Sequence, residues 1–199
     1  MSNKHYEIIK KDIINTRDSW AKFLQLFGSE ESVALLNYFS GQCFGLFQKS
    51  LNDSIILSIL RLLEPSNLTL EPSKQGNYNT NLTLEILVTD HKDTIIYSEL
   101  KTIYNKLNKE SKSLRIYRNK KLGHQDYVTK LKDKTFLLIG KKTIENIFDL
   151  FQEFMNEIES YNKIPLSIAY NKKMTSTIGD CKGLLHKIKD YKEIKERTK

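Results

Sequence analysis

Residues 33–63, VALLNYFSGQCFGLFQKSLNDSIILSILRLL, decide the fold class of this chain of 199 residues. Apolar residues recur in the stretch at steps of three and four, which places them along one side of an α-helix. The stripe consists of Leu35, Leu36, Phe39, Cys43, Phe44, Phe47, Leu51, Ile55, Ile59 and Leu62. We therefore expect a central core helix, bent near Gly41 or Gly45. It should end at Glu64, because Pro65 disfavours helix in the residue before it.

Helical patterns continue on both sides of this stretch. A first helix is predicted from about Lys4 to Phe27, with Gly28 as its stop and Ser29 as the cap of the central helix. Residues 65–80 are predicted to form an exposed loop, and a short extended piece is expected at 135–139. The remaining predicted helices are Leu82–Thr89, Thr94–Leu122, Thr143–Tyr161 and a basic C-terminal helix over Asp180–Lys199. With only 8 Gly and 3 Pro to interrupt it, the chain is predicted to be all-α.

The positive charge of the chain is concentrated in one block. The formal net charge is +8, yet residues 100–142 alone hold 13 basic and 3 acidic residues, a net of +10. Such a block favours an anionic partner, nucleic acid before a membrane. The alternative is a solvated surface, because 27 of the 32 basic residues are Lys, the less specific of the two cations.

Composition also excludes several classes of protein. Hydrophobic residues make up 39% of the chain, too many for a disordered protein, and no apolar run is long enough to span a bilayer. The N-terminal residues do not resemble a secretory signal, and the two Cys residues form no disulfide framework. We expect a cytoplasmic protein with no membrane partner, no metal ion and no cofactor.

The segment over residues 115–126, RIYRNKKLGHQD, combines the groups that RNA cleavage without a metal ion requires. It holds two of the five Arg residues and the one His inside the basic block. A His has the pKa to take a proton from a ribose 2′-hydroxyl. An Arg presents a planar fork to the charge that develops on the attacked phosphate. A basic helix end with one His is also a common structural feature, so the pattern alone leaves both interpretations open.

The same segment resembles a family signature. Arg118, Asn119 and His124 match the R-x(4–6)-H pattern of HEPN domains, in which a polar residue follows the Arg. Residues 118–126 resemble the R-N-K-x-[LI]-[AG]-H-x-D form of abortive-infection AbiU-like HEPN proteins. Residues 53–65, DSIILSILRLLEP, resemble the helix of that group that ends in R-L-[FLT]-[DE]-P. The NLTL segments at 67–70 and 81–84 both resemble the N-L-[ST]-L that follows it.

The resemblance covers roughly residues 15–160 and implies a HEPN-like helical bundle, commonly dimeric, that acts as a metal-independent ribonuclease in toxin–antitoxin or abortive-infection defence. It implies that Arg118 is the phosphate or transition-state cation, Asn119 the positioning polar group and His124 the general base or acid. Asp126 would orient His124. The basic side chains expected to bind the RNA backbone are Arg115, Lys120 and Lys121.

The spacing of the motif poses a geometric problem. At 100° per residue, Arg118 and His124 lie about 240° apart on a straight helix, so they do not share one face. Either the helix ends or bends at Gly123, or the working site combines groups from two chains. The motifs of two HEPN protomers typically meet in one cleft, so the resemblance is compatible with a homodimer.

The domain organisation expected from the sequence is a HEPN-like helical domain over residues 1–170. A basic C-terminal helical extension over residues 171–199 is expected to pack on the same domain. The function expected is a metal-independent endoribonuclease with RNA as its partner. The protein partner expected for it is an antitoxin or a nucleotidyltransferase. The alternatives are a non-catalytic RNA- or nucleotide-binding module and an adaptor or antitoxin-like partner in a defence system.

Overall fold

The computed structural model describes residues 3–66, 81–123, 139–166 and 180–197. Helices account for 84% of these residues, and the described ranges contain no strand. The prediction of an all-α chain is therefore confirmed. The loop predicted at 65–80 and the extended piece predicted at 135–139 fall almost entirely outside the described residues. So does the domain boundary predicted between 170 and 171.

The helices follow the order of the predicted ones. They are α1 (Asn3–Phe27), α2 (Glu30–Leu62), α3 (Leu84–Asp90), α4 (Tyr97–Glu110), α5 (Lys112–Tyr117), a π-helical turn (Arg118–Gly123), α6 (Lys141–Tyr161) and α7 (Cys181–Arg197).

The start of α2 is determined by local chemistry. The Oγ atom of Ser29 accepts a hydrogen bond of 3.1 Å from the backbone N–H of Ser32, as expected for a helix cap. Glu30 and Glu31 lie in the first turn, where negative charge stabilises a helix. The predicted bend occurs at Ser40, whose φ of −163° and ψ of 79° are not helical.

The single helix predicted over Thr94–Leu122 is wrong, because the chain leaves helical geometry at Ser111. The Ser111 hydroxyl donates to the backbone oxygen of Asn108 at 3.2 Å, and such a bond competes with helix continuation. The Ser111 carbonyl then accepts the N–H of Arg115 at 3.1 Å, which starts α5. The break separates α4 from α5, the helix that leads into the motif.

The chain divides into two compact units, of which unit 1 consists of Met1–Asn15 and Ile56–Lys172. Its centre is the packing of α4 against α6. Lys106 pairs with Glu153 at 3.6 Å, and Asn146 donates to Glu110 at 3.2 Å. The residue numbers rise along one helix as they fall along the other, so the two helices run antiparallel. The fully buried side chains at this centre include Leu100, Ile103, Leu107, Ile147, Phe148, Phe151, Phe154 and Ile158.

The N-terminal part of α1 is joined to α6 through a buried carboxylate. Glu159 is 0% exposed, and its Oε1 accepts the Tyr6 hydroxyl at 2.7 Å and the Lys10 Nζ at 3.2 Å. Burial opposes the charge on Lys10, but the hydrogen bonds to Tyr6 and Glu159 outweigh that effect and raise the Lys10 pKa. Buried charge is tolerated here because it is paired and hydrogen-bonded.

Unit 2 consists of Thr16–Ile55 and Lys173–Lys199. Its buried apolar side chains include Trp20, Leu36 and Ile188, which come from α1, α2 and α7. The Trp20 ring stacks on Phe23 with centroids 5.3 Å apart. The α7 helix lies beside α2, since the Tyr191 and Phe39 rings meet edge to face at 6.0 Å.

The expectation that the whole apolar stripe of α2 is buried is wrong for its middle. Leu36 and Ile55 are buried, as predicted, whereas Phe39 is 52% exposed, Phe47 is 54% exposed and Cys43 is exposed. The periodicity correctly predicted a helix, but burial requires another element against that face. No described residue packs over this part of α2 closely enough to exclude solvent.

Candidate functional site

The sequence motif begins in a change of helix type. The residues Arg118–Gly123 form a π-helical turn that continues directly from α5. A π turn closes through i→i+5 hydrogen bonds and is wider than an α-helical turn, and such turns are frequent at functional sites. The 240° relation worked out for a straight α-helix therefore does not apply to this motif. His124 and Asp126 lie outside the described residues.

The Arg118 guanidinium is held on two of its three nitrogens. Nη1 donates to the Oε1 of Glu64 in an ion pair, and Nε donates to the Oδ1 of Asn119 at 3.1 Å. Arg118 and Glu64 are 30% and 29% exposed, so the pair is partly shielded from solvent. Among the described residues, no acceptor is hydrogen-bonded to Nη2. The guanidinium is thus oriented, and within the described residues its Nη2 group has no hydrogen-bonded acceptor.

A second arginine holds the end of α2 next to this pair. Nη2 of Arg115 donates to the backbone oxygen of Leu63 at 2.9 Å and to the Oδ1 of Asn108 at 2.8 Å. Its Nη1 lies 4.0 Å from the Oε1 of Glu64. Glu64 therefore faces two guanidinium groups, and α4, α5 and the end of α2 are joined through them.

The turn that carries Glu64 is fixed on its other side as well. Both the backbone N–H and the hydroxyl of Ser66 donate to the Oε2 of Glu85, at 2.7 and 2.8 Å. The side-chain amide of Asn81 donates to the backbone oxygen of Pro65 at 3.1 Å. Because the backbone is held on both sides, Glu64 is positioned before any ligand arrives.

Tyr104 lies near the same cluster of charges. Burial raises the pKa of its hydroxyl, the Glu85 and Glu64 carboxylates add to the increase, and Asn108 and Arg115 act against it. The hydroxyl therefore stays protonated at neutral pH.

The two lysines of the motif are exposed. Lys120 and Lys121 follow Asn119 in the π turn, and the Nζ of Lys121 lies 4.9 Å from the centre of the Tyr117 ring. Tyr117 itself is 7% exposed, so its ring provides a firm support for the cation. The π turn consequently presents positive charge to solvent beside Arg118.

Of the residues predicted for the site, the structure brings Arg118 and Asn119 into direct contact and leaves Lys120 and Lys121 exposed. Arg115 is engaged within the protein, by Leu63 and Asn108. The chemical roles assigned to these residues stay predictions.

The sequence interpretation missed Glu64 and Asn108. Glu64 was predicted only as the end of the central helix, and its partners are two arginines. The signal that could have found it is the acidic position before Pro65 in the R-L-L-E-P segment. Asn108 had no comparable signal in the sequence.

Over the described ranges, no three His, Cys, Asp or Glu side chains converge as metal ligands would. None of the helices in those ranges combines the length and apolar composition that a membrane span needs.

The helical architecture is that expected of a HEPN domain, and a comparison with family models tests the assignment. The sequence profile of the HEPN family described as AbiU2 matches residues 3–164. The chain belongs to the AbiU2 family of HEPN domains. Neither a curated protein nor a solved structure matches it.

Proposed function

We propose that the chain is an endoribonuclease that needs no metal ion and uses Arg118, Asn119 and His124. The observation that carries the proposal is the oriented Arg118 guanidinium, which is held by Glu64 and Asn119 and whose Nη2 donates to no described residue. Membership of a HEPN family supports it. The enzyme would act in the cytoplasm, in anti-phage defence or growth arrest.

The reaction is an attack of a ribose 2′-hydroxyl on the neighbouring phosphorus. His124 takes the hydroxyl proton as general base, or gives a proton to the leaving oxygen as general acid. The new O2′–P bond forms, the P–O5′ bond breaks, and the 5′-oxygen leaves with a proton. The products are a 2′,3′-cyclic phosphate and a free 5′-hydroxyl. Arg118 stabilises the extra negative charge on the phosphate oxygens through its planar fork.

Glu64 is the positioning residue for Arg118 in this scheme. An arginine binds a phosphate best through two parallel N–H groups. In the structure, Nη1 donates a hydrogen bond to Glu64 and Nε donates one to Asn119. Asn119 is exposed, so its amide can rotate away and release Nε. The phosphate then receives Nε and Nη2, while Glu64 keeps the plane of the guanidinium in place.

Capture of the substrate depends on the basic block. Lys120 and Lys121 are exposed and would contact the backbone of a tRNA or mRNA. This electrostatic attraction weakens as the salt concentration rises. Arg115, whose side chain is held by Leu63 and Asn108, would attract the RNA through its positive electrostatic field. The working form is a homodimer, and an antitoxin or a nucleotidyltransferase is the expected partner in the cell.

The proposal is tested by incubating the purified chain with total RNA in the presence of EDTA. We expect cleavage that leaves cyclic phosphate ends. His124→Ala should be slower by about 10²–10⁴-fold, and Arg118→Ala should also be impaired. His186→Ala is the matched control, because His186 is exposed and outside the motif. Equal cleavage by all variants, or activity abolished by EDTA, contradicts the proposal.

A second candidate is a non-catalytic RNA- or nucleotide-binding module. The observation that favours it is that the charge of Arg118 is already paired with Glu64. In that case His124→Ala leaves RNA binding unchanged and no cleavage is found. Lys120→Gln and Lys121→Gln would each weaken binding and lower its salt dependence.

A further inference from the structure

One side of unit 2 exposes large apolar side chains to solvent. Leu46 and Ile194 are 63% and 61% exposed, Phe47 and Tyr191 are both 54% exposed, and Phe39 is 52% exposed. Leu184 is 42% exposed. These side chains form what we name the apolar surface, which consists of Phe39, Leu46 and Phe47 of α2 and Leu184, Tyr191 and Ile194 of α7.

The two helices of the apolar surface meet at a ring contact. The Phe39 ring lies edge to face against the Tyr191 ring, with centroids 6.0 Å apart. Leu184 and Ile194 lie seven residues before and three residues after Tyr191, so they share its side of α7. Single exposed apolar residues are ordinary, whereas a patch of them marks an interaction site.

The α2 part of the apolar surface lies in a stretch without charge. Residues 33–48 contain no Asp, Glu, Lys, Arg or His, in a chain of which 28% is charged. A helix face that stays in water normally carries charged residues. Glu30 and Glu31 precede the stretch, and the exposed Lys49 follows it directly after Phe47 and Gln48.

The charges of α7 are divided between two sides of the helix. Of its six Lys and Arg residues, Lys187 and Lys195 lie within about 40° of Tyr191, at 100° per residue. The side away from Tyr191, at about 100–180°, carries all three acidic residues of the helix and its four other basic residues. These are Asp190, Glu193 and Glu196, with Lys182, Lys189, Lys192 and Arg197. The apolar side of α7 is therefore bordered by cations alone.

Contacts on the far side of α7 join its acids and bases. The Nζ of Lys189 lies 4.0 Å from the Oε1 of Glu31, and the Nζ of Lys192 lies 3.9 Å from the Oε1 of Glu196. The excess of positive charge on α7 is thus divided between a far side where acids accompany the bases and a near side without acids. The near side is the one that adjoins the apolar surface.

A membrane surface with anionic lipids matches this arrangement. Helices that lie on such a membrane insert Phe and Leu side chains below the headgroups and carry Lys beside them. The stem of each Lys covers apolar surface while its amine reaches a lipid phosphate. A nucleic acid would instead need cations along the surface and aromatic rings under its bases, and Leu46, Leu184 and Ile194 offer neither. A second copy of the surface would bring further lysines to the same border.

We propose that the apolar surface binds to an anionic membrane surface, with Phe39, Phe47 and Tyr191 inserted among the lipids and Lys187 and Lys195 at their phosphates. The expectation of no membrane partner rested on the lack of an apolar run long enough to span a bilayer, and binding to a membrane surface needs no such run. The binding does not depend on RNA cleavage, and its test measures lipid binding only.

The test is cosedimentation of the full chain with phosphatidylcholine vesicles that contain about 30% phosphatidylglycerol. The wild type should bind them, and should bind vesicles of phosphatidylcholine alone at least about tenfold more weakly. Phe47→Asp should weaken binding at least about tenfold, since a carboxylate is costly to place among lipids. Ile95→Asp is the matched control and should bind like the wild type, because Ile95 is 90% exposed and lies in unit 1.

The lysines of α7 provide a second matched pair of variants. Lys187→Gln should weaken binding about fivefold, the effect expected for one lysine at an anionic surface. Lys182→Gln removes the same charge from the side of α7 opposite Tyr191 and should weaken binding by less than about twofold. Equal losses in the two variants overturn the proposal, because attraction without a defined orientation would then account for the binding.

A spectroscopic measurement covers the case in which Phe47→Asp fails to fold. In a Cys181→Ser variant, Cys43 is the one remaining thiol, since the chain has two Cys residues, and it is exposed on α2. A polarity-sensitive fluorophore on Cys43 should shift its emission to shorter wavelength when the anionic vesicles are added.

A wild type that does not bind the anionic vesicles overturns the proposal, and so does a fluorophore that shows no shift. A shift that RNA or a higher protein concentration produces without vesicles overturns it too, because a nucleic acid or a second copy would then cover the surface.

Discussion

Glu64→Gln tests the ion pair that positions Arg118. The substitution keeps a hydrogen-bond acceptor near Nη1 and removes the charge. Hydrogen bonds to charged groups contribute about 1.5–3 kcal/mol, and neutral ones about 0.5–1.5 kcal/mol. The difference of about 1 kcal/mol is reduced by solvent screening, because both side chains are about 30% exposed. We expect a loss of about 0.5–1 kcal/mol in unfolding free energy, or about 2 °C in Tm.

The effect on the reaction should be divided between kcat and KM. Without the carboxylate, the guanidinium is less well oriented, and kcat should fall about tenfold. KM for RNA should fall about threefold, because a unit charge about 7 Å from a phosphate in water contributes about 0.6 kcal/mol. A defect in folding alone would not lower KM. Glu153→Gln is the matched control, since Glu153 pairs with Lys106 at 3.6 Å, away from the motif.

The decisive assay is a double-mutant cycle. Urea unfolding of the wild type, Glu64→Gln, Arg118→Gln and the double variant measures the coupling energy of the pair. We expect about 0.5–1 kcal/mol. A coupling energy indistinguishable from zero refutes the ion pair. A Glu64→Gln variant with raised kcat refutes its positioning role, because Glu64 would then be a competitor of the substrate phosphate.

Two further predictions concern stability. Lys10→Met removes the ion pair with the buried Glu159 and should lower the unfolding free energy measured in urea by about 3 kcal/mol. Since the Lys10 pKa is raised, this difference should hold below the ordinary lysine pKa of 10.5 and shrink above it; a difference that grows at high pH contradicts the assignment. Gly28→Ala should lower Tm, because its Cβ would lie 2.3 Å from the backbone oxygen of Leu24. Gly183→Ala meets no such contact and should raise Tm through helix propensity of up to about 1 kcal/mol. Shifts of the same sign in the two variants would contradict this reasoning.

Local patterns in the sequence correctly predicted the helices and most of their ends. These depend on neighbours a few residues apart, such as Ser29 and Ser32 at the start of α2. The sequence also determined the motif, because Arg118 and Asn119 are adjacent and their contact is local. The family resemblance came from the same short segments.

Which helical faces are covered depends on tertiary packing and could not be predicted from local patterns. Phe39 and Phe47 have the periodicity of core residues, yet they remain exposed, because burial depends on what packs against a face and not on the face itself. The structure also decided the partner of Arg118. Glu64 lies 54 positions away along the chain, and the contact exists because Arg115 and Glu85 hold the turn after α2 in place. A pairing between distant residues is set by the packing of whole helices, which no local pattern contains.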